Sequence, residues 1–309
     1  MSYMPELPEV ETIRRGLQAL AVGRRVAGLR VIEPGSFHGA PSAVRALQGA
    51  TVVKIERRAK VLTVVFDNGY CLVIHLKMTG QLVLVDPNLR GGRFGAGHPS
   101  RSLIGDLPDK STRVVIELAD GGRLFFNDQR KFGWMRLLPL AEAARLDFFK
   151  KAGPEPLSPG FSAAELAKRL ARRPGSRVKA ALLDQAVIAG IGNIYADESL
   201  FDAGVHPSRR VSSLSPDEVQ ALWRSIRRVL SLAIAKGGST DRNYLNAEGR
   251  PGDYLKTAMV FRRQGQACRR CGGEVHKIKL AGRGTHFCPV CQIEDLTEQT
   301  ASDTKVLGA

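Results

Sequence analysis

VLTVVFDNGYCLVIHL, residues 61–76, sets two apolar, β-rich runs, Val61–Phe66 and Tyr70–Leu76, on either side of Asp67-Asn68-Gly69. Two such runs around a short Asn-Gly turn are the local signature of a β-hairpin. A second hairpin is expected where Val114–Leu118 and Arg123–Phe126 flank Asp120-Gly121-Gly122. From Val26 to Phe126 short strands succeed one another with turn signals between them, which predicts a β-sandwich rather than a parallel sheet with crossover helices. A helix precedes it: Leu7, Val10, Ile13, Leu17 and Leu20 recur at helical spacing, with Pro8 suited to the first turn and Glu9 and Glu11 at the positive end of the dipole. Asp86–Asp109, rich in Gly, Pro and Arg with little periodicity, reads as a long, exposed, mobile loop.

Past Pro139 the alternation gives way to helical patterns at Ala163–Leu170, Lys179–Leu183 and Ile194–Ala203. The clearest helix opens at the capping box Ser215-Pro216-Asp217-Glu218 and stops at Gly237-Gly238. The fold class is therefore α+β: an N-terminal sandwich with flanking helices over 1–139, a helical domain over 140–260, cysteine hairpins over 261–295 and a disordered tail over 296–309. A chain of 309 residues with 46 Lys and Arg against 30 Asp and Glu carries a net charge of +16. Such an excess calls for a polyanion, nucleic acid ahead of an anionic membrane surface. The apolar runs fall far short of the ~20 residues of a spanning helix. Met1–Glu6 lacks the basic and apolar regions of a secretory signal, so a cytoplasmic location is expected.

Cys268, Cys271, Cys288 and Cys291 spell C-x2-C-x16-C-x2-C, the spacing of a four-thiolate zinc site, and a reducing compartment makes disulfides the weaker reading. Cys71, alone in an apolar run, is a small buried hydrophobe. Around the zinc cysteines lie Arg269, Arg270, Lys277, Lys279 and Arg283, the last between Gly282 and Gly284 at an expected hairpin tip. So small a unit needs the metal to fold, which leaves the arginine presented to a partner or simply solvated. In Ala189–Ala196 a glycine turn precedes a helix with Asn193 at its N-cap, a seat for phosphate or a plain cap. Asn127–Trp134 combines two cations with aromatics. Such a group can wedge into a base stack, or Phe132 can be an ordinary core residue, as can Met78.

Met4-Pro5-Glu6-Leu7-Pro8-Glu9-Val10-Glu11-Thr12 closely resembles the opening of bacterial formamidopyrimidine-DNA glycosylases, base-excision enzymes that remove oxidised purines. The resemblance continues through Arg57-Arg58-Ala59-Lys60, His75–Gly80, Asp128–Gly133, Gly153-Pro154-Glu155-Pro156-Leu157, Ala189–Leu200, Gly237-Gly238-Ser239-Thr240 and the four cysteines. It implies a β-sandwich joined to a helix-two-turns-helix domain and a zinc finger with one structural Zn2+, DNA lying between them, and a base-recognition loop near 239–258. By the same resemblance Pro5 is the nucleophile and Glu6 the acid that helps open the sugar. Lys60 contacts phosphate and assists β-elimination, and Arg283 grips phosphate at the lesion and is tied to δ-elimination. Met78, Arg130 and Phe132 match the trio that fills the void left by the extruded base. His75, Lys179 and Asn193 match further DNA contacts, and the protein is expected to be a monomer acting on duplex DNA with oxidised bases or abasic sites.

The residue types suit that chemistry. A prolyl N-terminus is a secondary amine with a reference pKa near ~8, neutral enough to attack a sugar carbon and form a cationic imine. That requires Pro5 to lead the chain, so translation from Met4 with methionine removal, or trimming, is expected; retained Met1–Met4 would leave a silent DNA-binding relative. A second alternative is the related endonuclease VIII type, which takes oxidised pyrimidines; the Pro5–Glu9 opening and Arg130-Lys131-Phe132 favour the purine branch. The sequence departs from the family pattern at Lys110-Ser111-Thr112-Arg113, where relatives carry histidines, in the longer loop before it, and at Asp253–Ala258.

Overall fold

The computed structural model describes residues 4–89, 91–98, 100–239 and 252–294. Helix α1 (Leu7–Ala21) is followed by β1 (Val26–Val31), β2 (Phe37–His38), α2 (Pro41–Leu47), β3 (Val52–Arg58), β4 (Val61–Phe66) and β5 (Tyr70–His75). Next come β6 (Gly80–Val85), β7 (Arg93–Gly97), β8 (Thr112–Leu118), β9 (Arg123–Asp128), β10 (Trp134–Pro139), α3 (Leu140–Ala143) and α4 (Asp147–Lys151). The helical stretch holds α5 (Ala163–Leu170), α6 (Val178–Leu183), α7 (Asn193–Ala203), α8 (Pro216–Ala235) and the short α9 (Tyr254–Thr257), and the cysteine segment holds β11 (His276–Leu280) and β12 (Arg283–Phe287). The chain divides into two compact units, Met1–Glu155 with Leu230–Thr257, and Pro156–Val229 with Ala258–Ala309. The first unit thus runs past the boundary expected at 139, because Phe148 and Phe149 cover one face of its sheet, and it takes back the end of α8. The expected tail at 296–309 and residues 240–251 of the base-recognition loop lie outside the described residues.

In the first unit the strands form two five-stranded sheets, β1-β8-β9-β6-β7 and β2-β10-β5-β4-β3. The 61–76 hairpin forms as expected, in antiparallel register from Val61↔His75 to Val65↔Cys71. Side chains alternate across a strand: Leu62, Val64, Phe66, Leu72 and Ile74 enter the core shared with α1 and with Leu82, Leu84, Val114, Ile116 and Phe126 of the other sheet. Val61, Cys71 and Val73 face the opposite way, beneath Leu146, Phe148 and Phe149. Both faces are dry, which is why the run is apolar throughout instead of alternating. Burial pushes the Cys71 thiol up to about 11, in keeping with an inert core residue.

The loop expected at 86–109 is corrected. Part of it is β7, an edge strand paired with β6, whose Phe94 and Ala96 are core residues. A turn of 3-10 helix at Arg101–Leu103 then lays Leu103 over Val83, Val115 and Phe125 on the outer face of the sheet. Its glycines hid the strand because they are needed for close approach. A Cβ on Gly97, whose φ is +123°, would lie 2.4 Å from the Gly80 carbonyl oxygen. In the second unit the long helix begins at its capping box: Ser215 N–H donates to Glu218 Oε2 (2.8 Å), and Glu218 N–H donates to Ser215 Oγ (3.2 Å).

Phe94 reaches α1 only because position 16 carries no side chain: a Cβ there would lie 2.4 Å from the ring. Gly16→Val should therefore destabilise the first unit by about 1–3 kcal/mol through overpacking. Urea unfolding followed by tryptophan fluorescence reads this as a lowered midpoint, and an unchanged midpoint would contradict the packing of Phe94 against α1.

Candidate active site

Pro5 is buried immediately ahead of α1, and Glu6, 3 % exposed, is the residue that caps it. Glu6 N–H donates to Glu9 Oε2 (2.9 Å) while the Glu6 carboxylate accepts the Glu9 N–H, a reciprocal box that satisfies two helix-start donors. The other Glu9 oxygen accepts Ser239 N–H at 2.7 Å. Glu9, read from sequence as a dipole partner, therefore also fastens the Gly237-Gly238-Ser239 turn onto the start of α1. A carboxylate doing the work usual for Ser or Thr at the cap explains why the box was not legible.

Lys60, 5 % exposed, follows a turn in which Ala59 adopts a left-handed φ of 52°. Arg57 braces this turn: its Nε meets Glu11 Oε2 at 3.0 Å, and its Nη1 meets Glu155 Oε2 at 2.8 Å and the Ala59 carbonyl at 3.0 Å. The Glu155 carboxylate also accepts the Ala59 N–H. Burial alone would raise the Glu11 pKa, but Arg14, Arg57 and Arg15 outweigh it and hold the carboxyl below its ordinary range. The turn ahead of Lys60 is thus tied both to α1 and to the Gly153-Pro154-Glu155 motif. His75, in register with Val61 just after Lys60, is 6 % exposed and contacts the rings of Trp134 (5.7 Å) and Phe148 (5.9 Å). Burial, then the Lys77 and Lys60 cations, push its pKa from 6.5 down to about 3. Its Nδ1 accepts the Lys77 N–H at 2.9 Å, so Nε2 carries the proton of the neutral ring.

Met78, Arg130 and Phe132 come together. The Arg130 guanidinium lies over the Phe132 ring (4.8 Å) and donates to Met78 Sδ (3.3 Å). Phe132 is 55 % exposed, which excludes the core reading of this residue. Asp128, 1 % exposed, shapes the turn that presents them by accepting from Thr79 Oγ1, Arg130 N–H (3.2 Å) and Gly133 N–H (2.6 Å). Arg113, in the Lys110–Arg113 segment, turns inward: it is 7 % exposed and its Nε donates to the Asp128 carbonyl at 2.8 Å.

In the second unit the glycine turn places Gly192, not Asn193, at the cap of α7, and Asn193 is the first helical residue. Asn193 Nδ2 donates to the Gly284 carbonyl at 3.0 Å. Lys179, expected as a DNA contact, is 0 % exposed, and its ammonium meets Asp197 Oδ1 (2.6 Å), Thr285 Oγ1 (2.8 Å) and the same Gly284 carbonyl (3.1 Å). Both residues therefore grip β12. Arg283 stands exposed at the tip, after Ala281 (φ 48°) and Gly282 (φ 73°), the paired positive values of a tight hairpin turn. Two carboxylates that the sequence reading missed fasten the same region. Asp197 Oδ2 accepts the His286 N–H (2.9 Å), and Glu198, whose pKa burial raises, accepts the N–H groups of Met259 (2.8 Å), Val260 (2.9 Å) and Phe261 (2.8 Å). Neither was legible because their partners are distant in sequence.

The four cysteine sulfurs lie within 4.8 Å of one another, Cys268 to Cys291 at 3.9 Å and Cys271 to Cys288 at 3.5 Å. Tetrahedral zinc with ~2.3 Å bonds places sulfurs about 3.8 Å apart, so the set fits one zinc and leaves no coordination position open for chemistry.

The buried His75 gives a pH signature. Below its ordinary 6.5 the unfolded chain takes up a proton that the folded protein refuses until about 3, so this group makes stability rise with pH between the two values and level off above 6.5. His75→Gln should flatten that rise in denaturant titrations across the interval, and an identical profile would contradict the burial.

Residues 4–135 match the family described as formamidopyrimidine-DNA glycosylase N-terminal domain, 152–244 its H2TH domain, and 265–293 the zinc finger found in FPG and IleRS. The formamidopyrimidine-DNA glycosylase of Desulfitobacterium hafniense is 41% identical over 292 residues, 94% of this chain and 100% of that protein. That of Geobacillus kaustophilus is 42% identical with the same coverage of both. The solved complex of Lactococcus lactis Fpg with DNA containing an abasic site has a TM-score of 0.80 at 34% identity, covering 94% of this chain and 100% of that one. The complex of the same organism's wild-type enzyme with N7-benzyl-Fapy-dG DNA matches equally well. From its N-terminal sandwich to its zinc finger, the chain belongs to the formamidopyrimidine-DNA glycosylase family.

Proposed function

We propose that this protein is a bifunctional DNA glycosylase and abasic-site lyase that excises oxidised purines, formamidopyrimidines and 8-oxoguanine, from duplex DNA. The observation that carries the reading is the full-length match to enzymes named for, and solved with, Fapy-dG and abasic DNA, in a chain that keeps Pro5, Glu6, Lys60 and Arg283. The pyrimidine-directed alternative has no such support.

Pro5, Glu6, Lys60 and Arg283 then act in sequence. The target base leaves the stack at a cost of a few kcal/mol, offset by Met78, Arg130 and Phe132 entering the gap. The Pro5 nitrogen forms a bond to the sugar carbon as the bond to the base breaks, the departing base takes up the proton that the nitrogen gives up, and Glu6 supplies the proton that opens the sugar ring. The resulting iminium acidifies the neighbouring carbon. Loss of that proton expels the 3′ phosphate, with Lys60 assisting, and a second elimination, tied to Arg283, expels the 5′ phosphate. The zinc holds the finger and takes no part in bond making. A DNA substrate places this work at the nucleoid, in the bacterial cytoplasm, with one chain acting as a monomer.

An acylated proline nitrogen is an amide and forms no imine. Protein beginning at Pro5 should be trapped covalently by borohydride on an 8-oxoguanine·cytosine duplex, and more than tenfold less on one carrying an oxidised pyrimidine. Protein forced to keep Met1–Met4 should bind the duplex without being trapped. Preferential trapping on the pyrimidine duplex would move the chain to the other branch, and efficient trapping of the long form would remove Pro5 as the nucleophile.

A further inference from the structure

Asp197 belongs to no step of the proposed chemistry, yet its carboxylate is 0 % exposed. Oδ1 lies 2.6 Å from Lys179 Nζ, and Oδ2 accepts the His286 N–H at 2.9 Å with His286 Nδ1 at 3.1 Å. The Lys179 ammonium passes the link on to Thr285 Oγ1 (2.8 Å) and the Gly284 carbonyl (3.1 Å), which also receives Asn193 Nδ2 (3.0 Å). Three consecutive residues of β12 are therefore held by α6 and α7, and the residue before them is Arg283. Buried charges tolerate no loss of a partner, and a one-residue slip of a strand turns every side chain to the other face. The pair therefore permits one register of β12. The zinc, bound through Cys288 beyond the strand, fixes the base of the hairpin, and the Asp197–Lys179 pair fixes the end that carries the arginine.

We propose that Asp197 is a positioning residue for Arg283: through Lys179 and β12 it holds the finger arginine where one phosphate of the lesion strand meets it. The inference rests on the reading of Arg283 as a phosphate ligand. Asp197 itself touches no reacting group. Its effect on DNA must therefore vanish once the arginine is gone, whereas a residue that only stabilises the fold would act independently.

A double-mutant cycle on the full-length, zinc-loaded protein reads this, with a duplex carrying a tetrahydrofuran abasic analogue as the probe. Arg283→Ala should weaken binding about tenfold or more and lower the salt slope by roughly one. Asp197→Asn, with zinc retained, should reproduce both effects, and in the Arg283→Ala background should add less than about twofold. Wild-type affinity for Asp197→Asn, or losses that multiply, overturn the proposal alone. Wild-type binding by Arg283→Ala overturns the reading of that arginine and the proposal with it. Should Asp197→Asn lose zinc, Lys179→Met/Asp197→Asn removes both buried charges, keeps an acceptor for the His286 N–H, and carries the same cycle. Zinc loss from that variant too makes Asp197 a structural residue and overturns the proposal.

Discussion

The chemistry proposed for Pro5 and Glu6 depends on how the first turn of α1 is closed. Glu9 spends one oxygen on the N–H of Glu6 and the other on the N–H of Ser239, while Glu6 caps the same turn with its carboxylate. An anionic side chain at a helix start is favoured by the dipole, so the two carboxylates stabilise the turn that also sets the place of Pro5. The next acidic residue, Glu11, reaches Arg57 and through it the turn before Lys60. Pro5, Glu6 and the turn before Lys60 are thus organised from three carboxylates, Glu6, Glu9 and Glu11, at the start of α1.

The second unit solves a related problem with the same means. A zinc knuckle is rigid in itself, but its placement depends on contacts outside the cysteines. Asp197 and Glu198, adjacent on α7, supply them in two directions, one to β12 and one to the backbone entering the finger. Each carboxylate is buried and each answers backbone N–H groups, which is how a buried acid becomes tolerable. The apolar cluster of Phe201, Val260, Cys268, Val275 and Cys288 closes the joint.

Local patterns made much of this legible. The 61–76 hairpin, the Ser215 capping box and the C-x2-C pairs are each written in a few neighbouring residues, and each appears in the structure where it was read. The place of Met78, Arg130 and Phe132 was legible only as a choice, since aromatic and cationic residues at a strand end suit a core or a surface equally; the exposure of Phe132 puts that ring at the surface. Strand β7 was hidden by glycines required for contacts that only the folded sheet creates. The buried place of Lys179 was hidden for the complementary reason, because a lysine at a binding surface and a lysine paired with a buried aspartate look alike until the partner, distant in sequence, is in place. Arg113 likewise takes an inward position that no neighbouring residue announces.

The central claim is that the Pro5 nitrogen is the atom that attacks the sugar. Reductive trapping on an abasic-site duplex, followed by nuclease and protease digestion and fragmentation mass spectrometry of the modified peptide, locates the attachment directly. The account predicts a sugar remnant on the nitrogen of Pro5 in the peptide that begins Pro5-Glu6-Leu7-Pro8. A remnant on Lys60, or on any other lysine, would contradict it.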